Sequence, residues 1–142
     1  MRLVLQRVTR AEVRVDGQTV GRIGPGLLVL VGVQTEDGSD RAAAAASKLA
    51  HLRVFEDDRG RMNVDPARAG AEFLVVSQFT LAGSLDRGRR PSFDGAAPPE
   101  VAETLVDELV AALREAGFRV ETGRFGARME VDLVNDGPVT FV

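Results

Sequence analysis

The chain has 142 residues, of which 44% are hydrophobic and 27% charged, the balance of one globular domain. It contains no cysteine and a single histidine, which excludes disulfides and thiolate chemistry and makes a zinc site or a histidine-based triad a poor reading. A net charge of −3, with a pI near 5.2, argues against a protein that coats nucleic acid through many phosphate contacts; it leaves room for one that grips a single RNA end.

In chain order, residues 2–8 and 11–15 read as strands. Ala11, Val13 and Val15 alternate with Glu12 and Arg14, the period of a half-buried strand. Gln6, Arg7 and Arg10 interrupt the apolar start, so neither a signal peptide nor a membrane span is expected and the cytosol is the default compartment. Asp16-Gly17 predicts a two-residue hairpin turn, Gln18–Ile23 returns, and Leu27–Val33 is apolar apart from Gly32, as in a strand covered on both faces. A meander of antiparallel strands is the expectation for this first quarter.

Ser39 or Asp40 is placed to cap an alanine-rich helix that runs to about Leu52. Arg53–Glu56 reads as strand, Asp58–Arg61 as turn, and residues 63–70 as irregular. Phe73–Val76 is a second dense apolar run that leads into Ser77-Gln78-Phe79-Thr80-Leu81. Residues 82–99 show no periodicity, and a loop of that length is usually functional or disordered. Pro98-Pro99 opens a second helix, with Val101, Leu105, Leu109 and Leu113 on one face and Gly117 at its end. Phe118–Glu121 and Met129–Val134 are strands, and the last eight residues read as strand, turn, strand around Gly137-Pro138. The predicted fold class is α+β, a strand-rich sheet or open barrel with two helices in a single domain spanning residues 1–142.

Few side chains here suit catalysis. His51 sits near a helix end, where capping or a half-buried contact explains it better than chemistry. No metal-ligand spacing and no Walker loop are present, and Gly24-Pro25-Gly26 lacks the following helix that a phosphate cradle needs. Ser77–Leu81 has two readings: hydroxyls, an amide and backbone N–H groups that meet a substrate, or a strand that surfaces with Phe79 in the core. Arg87-Gly88-Arg89-Arg90-Pro91-Ser92-Phe93 combines phosphate-binding forks with a stackable ring, or is a solvated loop tip. Gly123–Met129 offers Phe125 and Met129 either to adenine or to ordinary packing. Gly137-Pro138 is expected to be trans, since only about one X-Pro bond in twenty is cis in folded proteins.

The opening Met1–Val8, Ser77–Leu81, Arg90–Phe93 and Asn135–Thr140, taken together, resemble the D-aminoacyl-tRNA deacylase family, also called D-tyrosyl-tRNA deacylases. The similarity runs end to end, with no departure at those motifs. It implies a cytosolic homodimer, with its active site at the interface, that hydrolyses D-aminoacyl-tRNA. It further implies that Gly137-Pro138 is cis and enters the partner's pocket, where its carbonyls would collide with an L side chain but not a D side chain. Glycine has no side chain to collide, so mischarged glycyl-tRNA for alanine becomes a second substrate. Ser77, Gln78, Phe79 and Thr80 carry over as catalytic residues, with either Thr80 as nucleophile or, as the resemblance favours, the RNA 2′-hydroxyl activating water. Arg7, Phe125, Met129, Arg89 and Arg90 carry over to tRNA or adenosine binding, with Arg7 also steadying the Gly-Pro loop. No cofactor or metal is implied. The other readings are a catalytically silent RNA-end binding module on the same fold and a general small-ester hydrolase.

Overall fold

The computed structural model describes residues 1–86 and 88–142; Arg87 of the basic cluster lies outside the described residues. Its elements are β1 (Arg2–Val15), β2 (Gln18–Ile23), β3 (Gly26–Gly32), α1 (Ser39–His51), β4 (Phe55–Glu56), β5 (Met62–Val64), α2 (Pro66–Ala69) and β6 (Glu72–Ser77). A 3₁₀ turn (Phe79–Ala82), α3 (Pro99–Glu115), β7 (Val120–Thr122) and β8 (Glu130–Phe141) complete the chain.

β1 is one strand of 14 residues where two were expected. Thr9-Arg10 carries no turn-forming residue, so the extended backbone runs through. Its length reorganises the expected meander. Asp16 and Gly17 take φ of 50° and 77°, and β2 folds back onto the C-terminal half of β1, from Val15↔Gln18 to Ala11↔Ile23. β3 then pairs antiparallel with the N-terminal half, from Val8↔Gly26 to Arg2↔Gly32. The two strands thus share one long partner end to end and do not pair with each other.

β6 and β7 extend the sheet from β3 as parallel partners, and β8 lies antiparallel along β1. On one face Leu27, Val29, Val31, Phe73 and Val75 pack with Ala42 and Leu49 of α1 and Leu105 and Leu109 of α3. On the other, Leu28, Leu74 and Val76 meet Val8, Val13 and Ile23. β3 and β6 are therefore covered on both faces, as the apolar run of Leu27–Val33 predicted for β3. Each such leucine or phenylalanine contributes roughly 1.5–3 kcal/mol by leaving water. The sheet curls until β2 meets β7: a Cβ at Gly21 would lie 3.1 Å from the Thr122 carbonyl carbon. The fold is α+β, a strand-rich, nearly closed sheet with three helices. The third, α2, falls where an irregular segment was expected. Asp65 caps it, its Oδ1 accepting the Arg68 N–H at 2.9 Å, Pro66 starts it, and Gly70 ends it at φ 65°. Among the described residues no helix is long and apolar enough to cross a membrane.

Glu72 ties three parts of this sheet together. Its carboxylate accepts the Gly24 N–H at 2.9 Å and an Arg119 Nη1–H at 2.8 Å. Burial pushes its pKa up, but the Gly24 N–H and the Arg119 guanidinium outweigh burial and hold it below the ordinary 4.5. A depressed folded-state pKa gives stability that is complete above the unfolded value and lost as pH falls through the folded one. Glu72→Gln should therefore be less stable than the parent near neutral pH, with the difference shrinking below about pH 4. Urea denaturation at both pH values measures this, and a pH-independent difference would remove the carboxylate's ionisation from the account.

Candidate active site

β6 delivers Ser77 to the C-terminal end of the parallel strands, opposite Val31. The Gln78 N–H still bonds the Val31 carbonyl at 2.7 Å, and the chain then leaves the sheet in the 3₁₀ turn. That turn carries Phe79 outward, 57% exposed, which overturns the reading with Phe79 in the core. Its ring meets Phe93 edge-on, centroids 5.0 Å apart at 60°. The Gln78 amide donates to the Thr80 hydroxyl. The first bond of the turn runs from the Leu81 N–H to the Gln78 carbonyl at 3.1 Å. The N–H groups of Phe79 and Thr80 precede it, and among the described residues neither has a hydrogen-bond partner. Such unmet donors are what the start of a helical turn presents.

Beside this turn lies a cleft of about 480 Å³, lined by Ser77, Gln78 and Phe79 and also by Phe125 and Met129. Sequence candidates from two distant segments are thus brought together. Among the described residues, every side chain that lines the cleft is apolar or neutral. Ala97 and Ala102, from the approach to α3 and its first turn, also line it; the sequence reading missed them. Their signal was the run of small residues around Pro98-Pro99, which leaves room instead of filling it. The side chains with shifted pKa lie elsewhere: Glu12, Asp57 and Glu72 are lowered and Arg119 raised.

Other candidates stand apart from the cleft lining. Thr80 is exposed at the turn. Arg89 and Arg90 are exposed in a pinched loop whose neck is the pair Ser84 and Ser92, bonded N–H to carbonyl at 2.8 and 3.0 Å. His51 is exposed at the end of α1, with Nδ1 2.7 Å from the Ser47 carbonyl oxygen.

Gly137-Pro138 sits on β8, which runs through as one strand with an irregularity instead of as strand, turn, strand. Val8 pairs with Asn135 and Gln6 with Thr140, so Arg7 alone faces the four residues Asp136–Val139, which bulge outward. The Gly137-Pro138 peptide is cis and Gly137 has φ 140°, so the trans turn expected from frequency does not form. Both residues are exposed and neither lines the cleft of its own chain. Arg7 is only 4% exposed. Its Nε donates to the Asp136 carbonyl at 3.2 Å, Nη1 to the Val54 carbonyl at 2.8 Å, and Nη2 to Glu56 Oε1 at 3.2 Å. Across the neck of the bulge, Asn135 Oδ1 accepts the Val139 N–H at 2.6 Å and Nδ2 donates to the Val139 carbonyl at 3.2 Å.

The family model described as D-Tyr-tRNA(Tyr) deacylase matches residues 4–142. A D-aminoacyl-tRNA deacylase of Anaeromyxobacter dehalogenans (strain 2CP-C) is 57% identical over 142 residues, covering 100% of this chain and 95% of the relative. One of Desulfatibacillum aliphaticivorans is 55% identical, covering 100% and 97%. A solved structure of a c-Myc DNA Unwinding Element Binding Protein superposes with a TM-score of 0.92 at 40% identity, covering 99% of this chain and 96% of that one. With its motifs, its fold and its full-length matches in agreement, the chain belongs to the D-Tyr-tRNA(Tyr) deacylase family, hydrolases that act on an ester bond.

Proposed function

We propose that this chain hydrolyses the ester between a D-amino acid and the terminal adenosine of tRNA, releasing the free D-amino acid and the tRNA in the cytosol. The observation that carries the mechanism is the neutral lining of the cleft. Adenine fits the apolar wall of Phe125 and Met129, which sets the ribose and ester towards Ser77 and Gln78. Water adds to the acyl carbon, the bond to the ribose oxygen breaks, and that oxygen takes up a proton. The Phe79 and Thr80 N–H groups receive the negative charge that develops on the carbonyl oxygen, an effect of about 3 kcal/mol per donor. A nucleophilic Thr80 would need a neighbouring base, and its hydroxyl is instead bonded by the Gln78 amide. The ribose 2′-hydroxyl is the group beside the ester that can activate the water. Arg89 and Arg90 would meet RNA phosphate.

Chirality is assigned to Gly137-Pro138 of a second copy of the chain. The pair projects from β8, outside its own cleft. Val134 is 42% exposed and lies on the face of β8 opposite to Val131, apolar surface suited to burial against a partner. With the carbonyls of the pair facing the substrate Cα, an L side chain is excluded by collision and a D side chain points away. Glycine escapes exclusion, so glycyl-tRNA for alanine is also a substrate.

Matched D- and L-aminoacyl-tRNA, with glycyl-tRNA beside them, test this reading directly. The D ester and the glycyl ester should be released and the L ester spared. Equal D and L rates would end the chiral account, and no release from any of them would favour the catalytically silent RNA-end binder. Resistance of the glycyl ester alone would mean that the pocket selects by contact with a D side chain.

The chemical step is tested separately. Thr80→Ala should keep kcat within about tenfold of the parent. Substrate ending in 2′-deoxyadenosine should lose at least about a hundredfold, the usual scale of a lost acid-base group. Single-turnover release of labelled amino acid measures both, and the opposite pattern would restore Thr80 as nucleophile.

A further inference from the structure

The four-residue bulge that carries Gly137-Pro138 has two legs, held by different means. On the first leg, Arg7 grips the Asp136 carbonyl from the interior at 3.2 Å. On the second, the holder is the side chain of Asn135. Its Oδ1 accepts the Val139 N–H at 2.6 Å, and its Nδ2 donates to the Val139 carbonyl at 3.2 Å. The same Nδ2 reaches the Thr140 hydroxyl at 3.0 Å, which also lies 3.4 Å from the Gln6 amide of β1. A primary amide carries a donor and an acceptor in one plane. Asn135 therefore pairs with Val139 as a neighbouring strand would, in place of the β1 partner that the bulge removes. The backbone pairs Val8↔Asn135 and Gln6↔Thr140 lie immediately on either side.

We infer that Asn135 is a positioning residue for the chiral filter: its amide closes the neck of the bulge and fixes how far Gly137-Pro138 projects. This rests on the reading of Gly137-Pro138 as that filter. The requirement is exacting because exclusion by collision depends on where the wall stands, and a displacement of about 1 Å at such a site changes rates by orders of magnitude. Hydrolysis of the D ester makes no comparable demand on the wall, since the D side chain points away from it. Loss of the clamp should therefore appear first in the tolerance for L substrate.

Asn135→Asp and Asn135→Ala separate the two bonds. The aspartate keeps an acceptor for the Val139 N–H but has no donor for the Val139 carbonyl; alanine has neither. In the full-length protein, kcat/KM is measured for D- and L-aminoacyl-tRNA of one amino acid, with the melting temperature of each variant. The D:L ratio should fall at least about tenfold for Asn135→Ala and less for Asn135→Asp. Thr140→Val, which removes only the side branch, should leave the ratio close to the parent's. A parental ratio in folded Asn135→Ala, or D and L rates that fall together, would overturn the inference. Gly137→Ala, run in parallel, tests the underlying assignment. If it changes discrimination while Asn135→Ala does not, the clamp fails and the filter stands. If neither does, the filter reading itself fails.

Discussion

Arg7 is the constraint on which the functional half of the structure depends. A guanidinium placed under a sheet costs several kcal/mol unless its donors are met. Here they are met by two separate segments: residues 54–56, through the Val54 carbonyl and the Glu56 carboxylate, and Asp136 at the start of the bulge. The carboxylates of Glu56 and Asp136 are themselves 56% and 53% exposed. The cation is thus buried while its counter-charges remain hydrated, a cheaper arrangement than burying all three. No buried side-chain nitrogen or oxygen among the described residues lacks a partner. The bulge on β8 is consequently anchored to the interior at its first residue, Asp136.

That anchoring explains the composition of the C-terminal motif. Gly137 stands at φ 140°, where an L side chain is disfavoured, and a Cβ there would lie 2.7 Å from the Val139 side chain. Asn135 supplies the sheet-like pairing that β1 does not offer at that point. Each residue answers one demand of a strand that must leave its partner for four residues and rejoin it. The β-branched residues on either side return the chain to extended structure, which is how a terminus that would otherwise fray is held.

Much of this architecture was legible as periodicity. The apolar run of β3 predicted a strand buried on both faces. The four-residue spacing of Val101, Leu105, Leu109 and Leu113 predicted the inner face of α3; the three leucines are buried there, while Val101, in the first turn, is 44% exposed. What periodicity does not report is the partner. Whether β3 pairs with β2 or with β1 depends on the length of β1, and that length followed from the lack of a turn at Thr9-Arg10. The site divided the same way. Ser77–Phe79 stood out as polar and aromatic residues after a buried strand, and Phe125 and Met129 as large apolar residues in a glycine- and arginine-rich stretch. Their shared cleft depends on the parallel pairing of β6 and β7, which no local pattern encodes. Phe79 shows the limit plainly: an aromatic after a buried strand defaults to the core, and the 3₁₀ turn takes it to the surface. The grip of Arg7 on the bulge had its only signal in the family resemblance.

The geometry of β8 also bears on the proposed role of a second copy. Val131 lines the cleft, and Gly137 lies six residues further along the same extended strand. At about 3.3 Å per residue this separates the proposed filter from its own cleft by roughly 20 Å. A rigid strand cannot close that gap. Two copies of β8 running antiparallel about a twofold axis near Val134 would place the Gly137-Pro138 of each beside the Val131 of the other. One symmetric contact would then complete both sites. Val134, at the midpoint, is among the exposed apolar residues of the strand, as an interface centre requires. On this account the strand that builds one wall of the cleft also delivers the filter to the opposite cleft, and its rigidity sets the distance between them.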